Sequence, residues 1–397
     1  MNSKVSRLSP LTILFFIPLI PHLNVIDGFV HTDDLPILLF SFFALFSFKL
    51  FPKGISQIGN NKFIFLFIIY LFLQNQIINN GFIHSEILRY LFYSFLFIYV
   101  ISIDLNSFDQ NIPVYLFFFL SSFSILSYFL SLNLGTDLYQ NWNIGLNLSD
   151  IDYIKGRVNG FQAGGPNSFA DLITVTAVYS MFRLKDTYLP YVIIFSFLGC
   201  FFTYSRFSLI VLVLFTILKI FYVEKKRTNL GIFIAVFLVC INFGLIERFS
   251  SDDNSGIQDR VEMQTGTINY IFEDSIKNNL LGRGFDNYVV KGQVLYDADK
   301  FDEDNVSHGP HNSYLFIILN YGVVGLLLYA LIFKDLIYKI FKHRFKKEYS
   351  PYFYVVLAYL VLSFSSDLLQ NHSVSWFLYL SYFLFIKETI IKRSIEN

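Results

Sequence analysis

Residues 312–333 read NSYLFIILNYGVVGLLLYALIF, a stretch without a single charged side chain. A helix of about 20 such residues matches the thickness of a bilayer's hydrocarbon. A helix on a soluble domain shows an apolar stripe, because its other face meets water. This run is apolar all round, so it reads as a membrane span. Working outward, comparable runs recur from one end of the sequence to the other. About twelve spans are predicted, near 11–28, 35–50, 63–79, 87–103, 113–132, 167–183, 188–204, 207–223, 230–247, 312–333, 351–367 and 373–386. The expected fold is an all-α polytopic membrane protein.

Charge orients the spans. The formal net charge is zero, but basic residues of short loops gather on the cytoplasmic side of membrane proteins. With the N-terminus inside, Lys4, Arg7, Lys62, Arg183, Lys225, Lys334 and Lys387 all fall on that side. The external connections near 27–34, 79–86 and 367–372 hold no basic residue. The connection near 104–112 is an exception, with Asp104 and Asp109 but no Lys or Arg. Both termini come out cytoplasmic. Lys4 and Arg7 ahead of Leu11–Ile20 mimic a secretion signal, but Pro18, Pro21 and the many later spans make this the first helix. Cys200 and Cys240 lie inside apolar runs and imply no disulfide framework.

The chain then divides into spans over 1–132, an external loop over 133–166, spans over 167–247, a large external loop over 248–311, and spans plus a cytoplasmic tail over 312–397. Long loops in a compact protein tend to be functional or disordered. Aromatics such as Tyr270, Phe272 and Phe285 argue for order in the larger one. So does Ser255 with Gln258 at capping-box spacing, which predicts a helix running to about Phe272. The acidic run Asp297–Asn305 reads as solvated surface. It lacks the glycine and terminal glutamate of a calcium loop, and no metal site is expected.

Candidate chemistry sits at the ends of the spans. His308-Gly-Pro-His311-Asn312-Ser313 leads directly into the quoted run, placing His311 at the outer mouth of a helix. An imidazole there can take a proton from a hydroxyl. The plain alternative is a cap, with Asn312 or Ser313 holding the first amides. A zinc pair from His308 and His311 is disfavoured, since Gly309-Pro310 keeps them off one helical turn. Lys155-Gly-Arg157-Val-Asn-Gly160 through Gly164-Gly165-Pro166-Asn167 puts glycines and an arginine beside a helix start, which suits an anion or is simply a loop. Arg260 lies near the positive end of the loop helix, where a cation is locally unfavourable. Arg206, in Thr203-Tyr-Ser-Arg206, is costly at membrane depth unless paired or facing a cavity. Arg283, in Leu281-Gly-Arg-Gly-Phe285, is a turn position first and a ligand contact second. Arginine grips phosphate in a fork that lysine lacks, so guanidinium groups collected outside point to a lipid-linked diphosphate.

This ordered set resembles the O-antigen polymerase and O-antigen ligase family of bacterial polysaccharide assembly. The segments are Arg157-Val-Asn-Gly-Phe…Gly-Pro-Asn167, Tyr204-Ser-Arg206, a large loop with Arg260 and Leu281-Gly-Arg-Gly-Phe285, then His311-Asn-Ser-Tyr-Leu315…Gly322-Val-Val-Gly325. The likeness covers about residues 155–330. It implies a helical glycosyltransferase similar to the multi-span, lipid-phosphate-sugar class in a bacterial inner membrane. Its implied donor is an undecaprenyl-diphosphate-linked oligosaccharide, with no cofactor and no metal. Carried over by position, Arg157 and Arg260 look like diphosphate ligands, Arg206 a third, and His311 the base. Arg283, His308, Asn312 and Asn167 are expected around the substrate. Asn320 departs from an acidic residue found in many relatives. The expected reaction is polymerisation of repeat units; ligation to lipid A–core is the alternative, and a lipid-linked oligosaccharide flippase is a more distant one. The bilayer is the expected surrounding, no nucleic acid is expected, and docking of a chain-length regulator on the acidic loop stays open.

Overall fold

The computed structural model describes residues 10–20, 24–26, 30–31, 39, 62–78, 85–103, 108–129, 158, 165–224, 228–241, 255–284, 310–343, 350–366, 368–369 and 372–396. The first predicted span is corrected. Where one helix was expected over 11–28, a short helix α1 (Pro10–Phe15) gives way to a 3-10 turn at Ile17–Leu19. A small antiparallel hairpin follows, β1 (Asn24–Ile26) on β2 (Val30–His31). Pro18 explains the break, because it lacks an amide and its ring clashes with the preceding helical turn. The predicted span 35–50 lies outside the described residues except for Leu39.

Every later predicted span has a helix in its place. These are α2 (Lys62–Ile78), α3 (Ser85–Ser102), α4 (Ile112–Phe129), α5 (Gly165–Arg183), α6 (Leu189–Phe202) and α7 (Arg206–Ile217), the last continuing through a π-helical turn to Glu224. Then come α8 (Thr228–Cys240), the loop helices α9 (Ser255–Glu273) and α10 (Ile276–Leu281), α11 (Ser313–Ile332), α12 (Lys334–His343), α13 (Pro351–Leu362) and α14 (His372–Glu396). By length and composition, Ile112–Phe129, Ser313–Ile332 and Val374–Ile391 are long and apolar enough to cross a membrane, and several shorter helices are equally apolar.

Two helical groups pack side by side. Helix α6 packs on α4, α5, α7 and α8, while α13 packs on α5 and α7. In the second group α2 packs on α3 and α11, and α14 on α3; the groups join where α14 meets α13 and α5. Small residues let helices approach closely when apolar burial alone does not drive them together. Gly199 accordingly faces Ser121, and the Ser124 hydroxyl donates to the Gly199 carbonyl at 2.7 Å. Aromatic rings fill the rest: Tyr93 stacks on Tyr379 at 4.3 Å and Phe182 on Tyr354 at 3.5 Å.

Polar contacts fix the ends of the bundle. Lys62 and Lys334 both approach the Phe63 ring, at 5.8 and 4.7 Å, so the start of α2 meets the end of α11. The buried Lys387 ammonium donates to the carbonyls of Val100 and Ile101 at 2.9 and 3.2 Å, complementing the negative end of α3. These lysines therefore share one end. The N-termini of α3, α11 and α14 and the C-terminus of α2 share the other, which is the His311 end.

Candidate functional site

The site is built from the start of α11. Asn312 has extended backbone, and its side-chain oxygen accepts from the amides of Tyr314 and Leu315 at 3.0 and 3.1 Å. It is the helix cap, so the plain reading of this segment holds for Asn312. Its amide group does more, donating to the Phe364 carbonyl at 3.1 Å. Ser313 fixes the same turn: its amide donates to the Ser363 carbonyl at 2.9 Å, and its hydroxyl to that of Ser366 at 2.8 Å. Those bonds hold half-buried His311 in left-handed backbone at φ 46°. Among the described residues the only other non-glycine at positive φ is Tyr204, beside Arg206. Such conformations cost about 1–3 kcal/mol and cluster at functional sites.

The Phe364 carbonyl has a second donor. Gln264 of α9 reaches it at 3.4 Å. Gln264 lies one helical turn after Arg260, so the helix bearing Arg260 and the cap beside His311 converge on one carbonyl. Arg260 itself lies on α9; its side chain is outside the described residues, as are all of Arg157 and His308.

A seam stitches the loop into the bundle. Helix α11 is broken at Gly322 (φ 68°, ψ −177°), and Gly282, just after α10, sits at φ 77°. The amides of Arg283 and Gly284 donate to the carbonyls of Leu319 and Asn320, both at 3.0 Å. A Cβ on Gly282 would meet the Asn320 carbonyl, and one on Gly322 the Leu280 carbonyl, so both glycines are required by close approach. From the far side, Gln74 of α2 donates to the carbonyls of Leu281 and Asn320 at 2.7 and 2.5 Å. The Tyr70 hydroxyl lies 3.0 Å from the Leu281 carbonyl and 2.6 Å from that of Tyr321. Broken backbone at membrane depth is tolerated only when protein satisfies its polar groups, and here the loop and α2 do so. Arg283 pairs with Asp274 and lies 3.8 Å over the Tyr270 ring, which locks the α9–α10 corner.

A second polar cluster lies between α5 and α7. Asp171, 1% exposed, accepts from the Ser208 hydroxyl at 2.7 Å, and Ser208 lies 2.8 Å from Ser205. Ser205 directly precedes Arg206, which is half-buried at the first position of α7; Asn167, also half-buried, lies one turn before Asp171 on α5. The Val158 amide, next in sequence to Arg157, donates to the Phe202 carbonyl at 3.1 Å and anchors its segment to this same turn. Helix α13 carries the Phe364 turn at its end and packs on both α5 and α7.

The structure thus groups the elements of Arg260, Asn312 and His311 on one turn, and those of Asn167 and Arg206 on the neighbouring helices. It commits Arg283 to an internal ion pair. Sequence reasoning missed Gln74, Asp171 and Ser208; a lone acid in an apolar span was the available signal for Asp171. No group of metal-ligating side chains occurs among the described residues. Residues 191–330 match the protein-family model described as O-Antigen ligase. The match includes Arg206, Arg260, Arg283, His308, His311 and Asn312, and leaves Arg157 and Asn167 outside. No curated protein matches the chain.

Proposed function

With residues 191–330 matching the O-antigen ligase family, we propose that the chain is an inner-membrane glycosyltransferase that polymerises undecaprenyl-diphosphate-linked repeat units on the periplasmic side. A hydroxyl of the incoming unit attacks the anomeric carbon of the growing chain. The carbon–oxygen bond to undecaprenyl diphosphate breaks, that diphosphate leaves with the bonding pair, and His311 takes the hydroxyl proton. Arg157, Arg206 and Arg260 stabilise charge building on the diphosphate, and Asn167, His308 and Asn312 shape its surroundings, while Arg283, paired with Asp274, holds the loop corner behind them. The bilayer holds the lipid tail, and the acidic loop is a candidate surface for a chain-length regulator.

The observation that supports this reading best is the shared Phe364 carbonyl. It joins the Arg260 helix to the His311 cap across about fifty residues of sequence. The test uses the purified full chain with lipid-linked repeat units. His311→Ala and Arg260→Ala are each expected to slow release of undecaprenyl diphosphate about a hundredfold or more. Release at the wild-type rate removes the assigned roles.

The match to an O-antigen ligase family favours a second reading, ligation of the lipid-linked glycan to lipid A–core. A deletion strain separates the two. Loss of a polymerase leaves single repeat units on lipopolysaccharide, whereas loss of a ligase leaves none.

A further inference from the structure

Arg89 is a guanidinium the sequence patterns did not single out. It lies four residues into α3, inside an apolar helix, half-buried, with its Nε fully buried. Its position breaks a rule of membrane helices. An arginine within a span is costly, and such residues face the bundle interior and mark functional pathways.

Packing shows which end and which face it occupies. Tyr93, one turn further along α3, is buried; it stacks on Tyr379 and lies 5.9 Å from Trp376, so this face of α3 looks toward α14. Lys387, late in α14, caps the far end of α3, so α3 and α14 run parallel and their N-termini lie together. Helix α14 begins directly after the turn that holds the His311 segment, and the Ser375 hydroxyl donates back to the Leu368 carbonyl at 2.5 Å. The Leu368 amide in turn donates to the Ser313 hydroxyl at 3.0 Å. Arg89 therefore stands one turn before the Tyr93–Trp376 contact, at the end of the bundle where α14 and the His311 segment begin. Buried Gln74 and Asn75 of the neighbouring α2 add polar side chains at the same end.

We infer that Arg89 is a further phosphate-gripping residue, contributing a guanidinium fork from α3 to the lipid-diphosphate site at the His311 end. The identity of the anion rests on the function proposed above. Residue 89 lies outside the family match, so this contact extends the site into the N-terminal helices. A fork matches phosphate oxygens in a way an ammonium does not.

The test measures binding of farnesyl diphosphate and of uncharged farnesol to the full chain purified in detergent, comparing wild type, Arg89→Gln, Arg89→Lys and Arg260→Ala. Arg89→Gln is expected to weaken diphosphate binding about tenfold or more while leaving farnesol binding unchanged, with Arg89→Lys intermediate. Wild-type diphosphate binding by Arg89→Gln, or equal loss of both ligands, overturns the inference. If Arg260→Ala weakens diphosphate binding and Arg89→Gln does not, Arg89 drops out and the proposed function stands. If neither variant differs from wild type, both fall. Should Arg89→Gln fail to fold, Arg89→Lys decides: it must bind diphosphate more weakly than wild type with farnesol binding intact.

Discussion

Asn312 uses both ends of one amide: its oxygen caps α11 and its nitrogen reaches Phe364. The two roles separate by substitution. Asn312→Ala removes both and is expected to lower stability by about 1–2 kcal/mol, read as thermal unfolding in detergent. Asn312→Asp keeps the capping oxygen but turns a second oxygen toward the Phe364 carbonyl, so it should recover only part of that loss. Its expected defect is in turnover, because the turn beside His311 is released. An Asp variant as unstable as the Ala variant would show that Phe364, not the cap, dominates. The cap was legible because a polar residue before a long apolar run has few other uses. Asp171 and Arg89 were not, because a helix apolar on every side carries no periodicity to say which way a polar residue faces.

At the scale of elements, the seam between α10 and α11 is the informative object. Gly322→Ala brings a Cβ onto the Leu280 carbonyl at a left-handed position, and a cost of about 2 kcal/mol or more is expected. Gly282→Ala disrupts the same crossing from the other strand. The double variant should therefore lose clearly less than the sum of the single losses, and additive losses would mean that the two glycines act separately. Gln74→Leu strips a donor from two carbonyls in the interior, at about 1–3 kcal/mol. Hydrogen exchange at Arg283 and Gly284 is expected to speed up in that variant; unchanged exchange would detach α2 from the seam. Sequence reading placed α9, because capping spacing at Ser255 is a local signal. That Gly282 and Gly322 meet is not legible in the sequence, since the long stretch between them hides a backbone-to-backbone contact.

For the whole molecule, hydropathy located the apolar helices from α2 onward, because a run of apolar residues is a local signal; three of them are long and apolar enough to cross a membrane. It failed at residues 11–28, where a proline inside an apolar run turns the chain into a short helix and a hairpin. The lysine end and the His311 end make a two-sided test. Cys200 and Cys240 are buried, so background labelling is low. Both Lys62 and Lys277 are exposed. A membrane-impermeant maleimide is expected to label Lys277→Cys in intact cells, and Lys62→Cys only after the inner membrane is opened. The reverse pattern would invert the topology and remove the periplasmic site.

The break at Gly322 also dictates an order of manufacture. The ribosome delivers Gln74 first, Gly282 some two hundred residues later and Gly322 last. Until Leu319 and Asn320 arrive, the amides of residues 283 and 284 lack the acceptors they have in the finished molecule, and Gln74 has only half of its own. This junction can therefore close only once α11 has been made, while the Phe364 turn that holds the His311 segment comes later still.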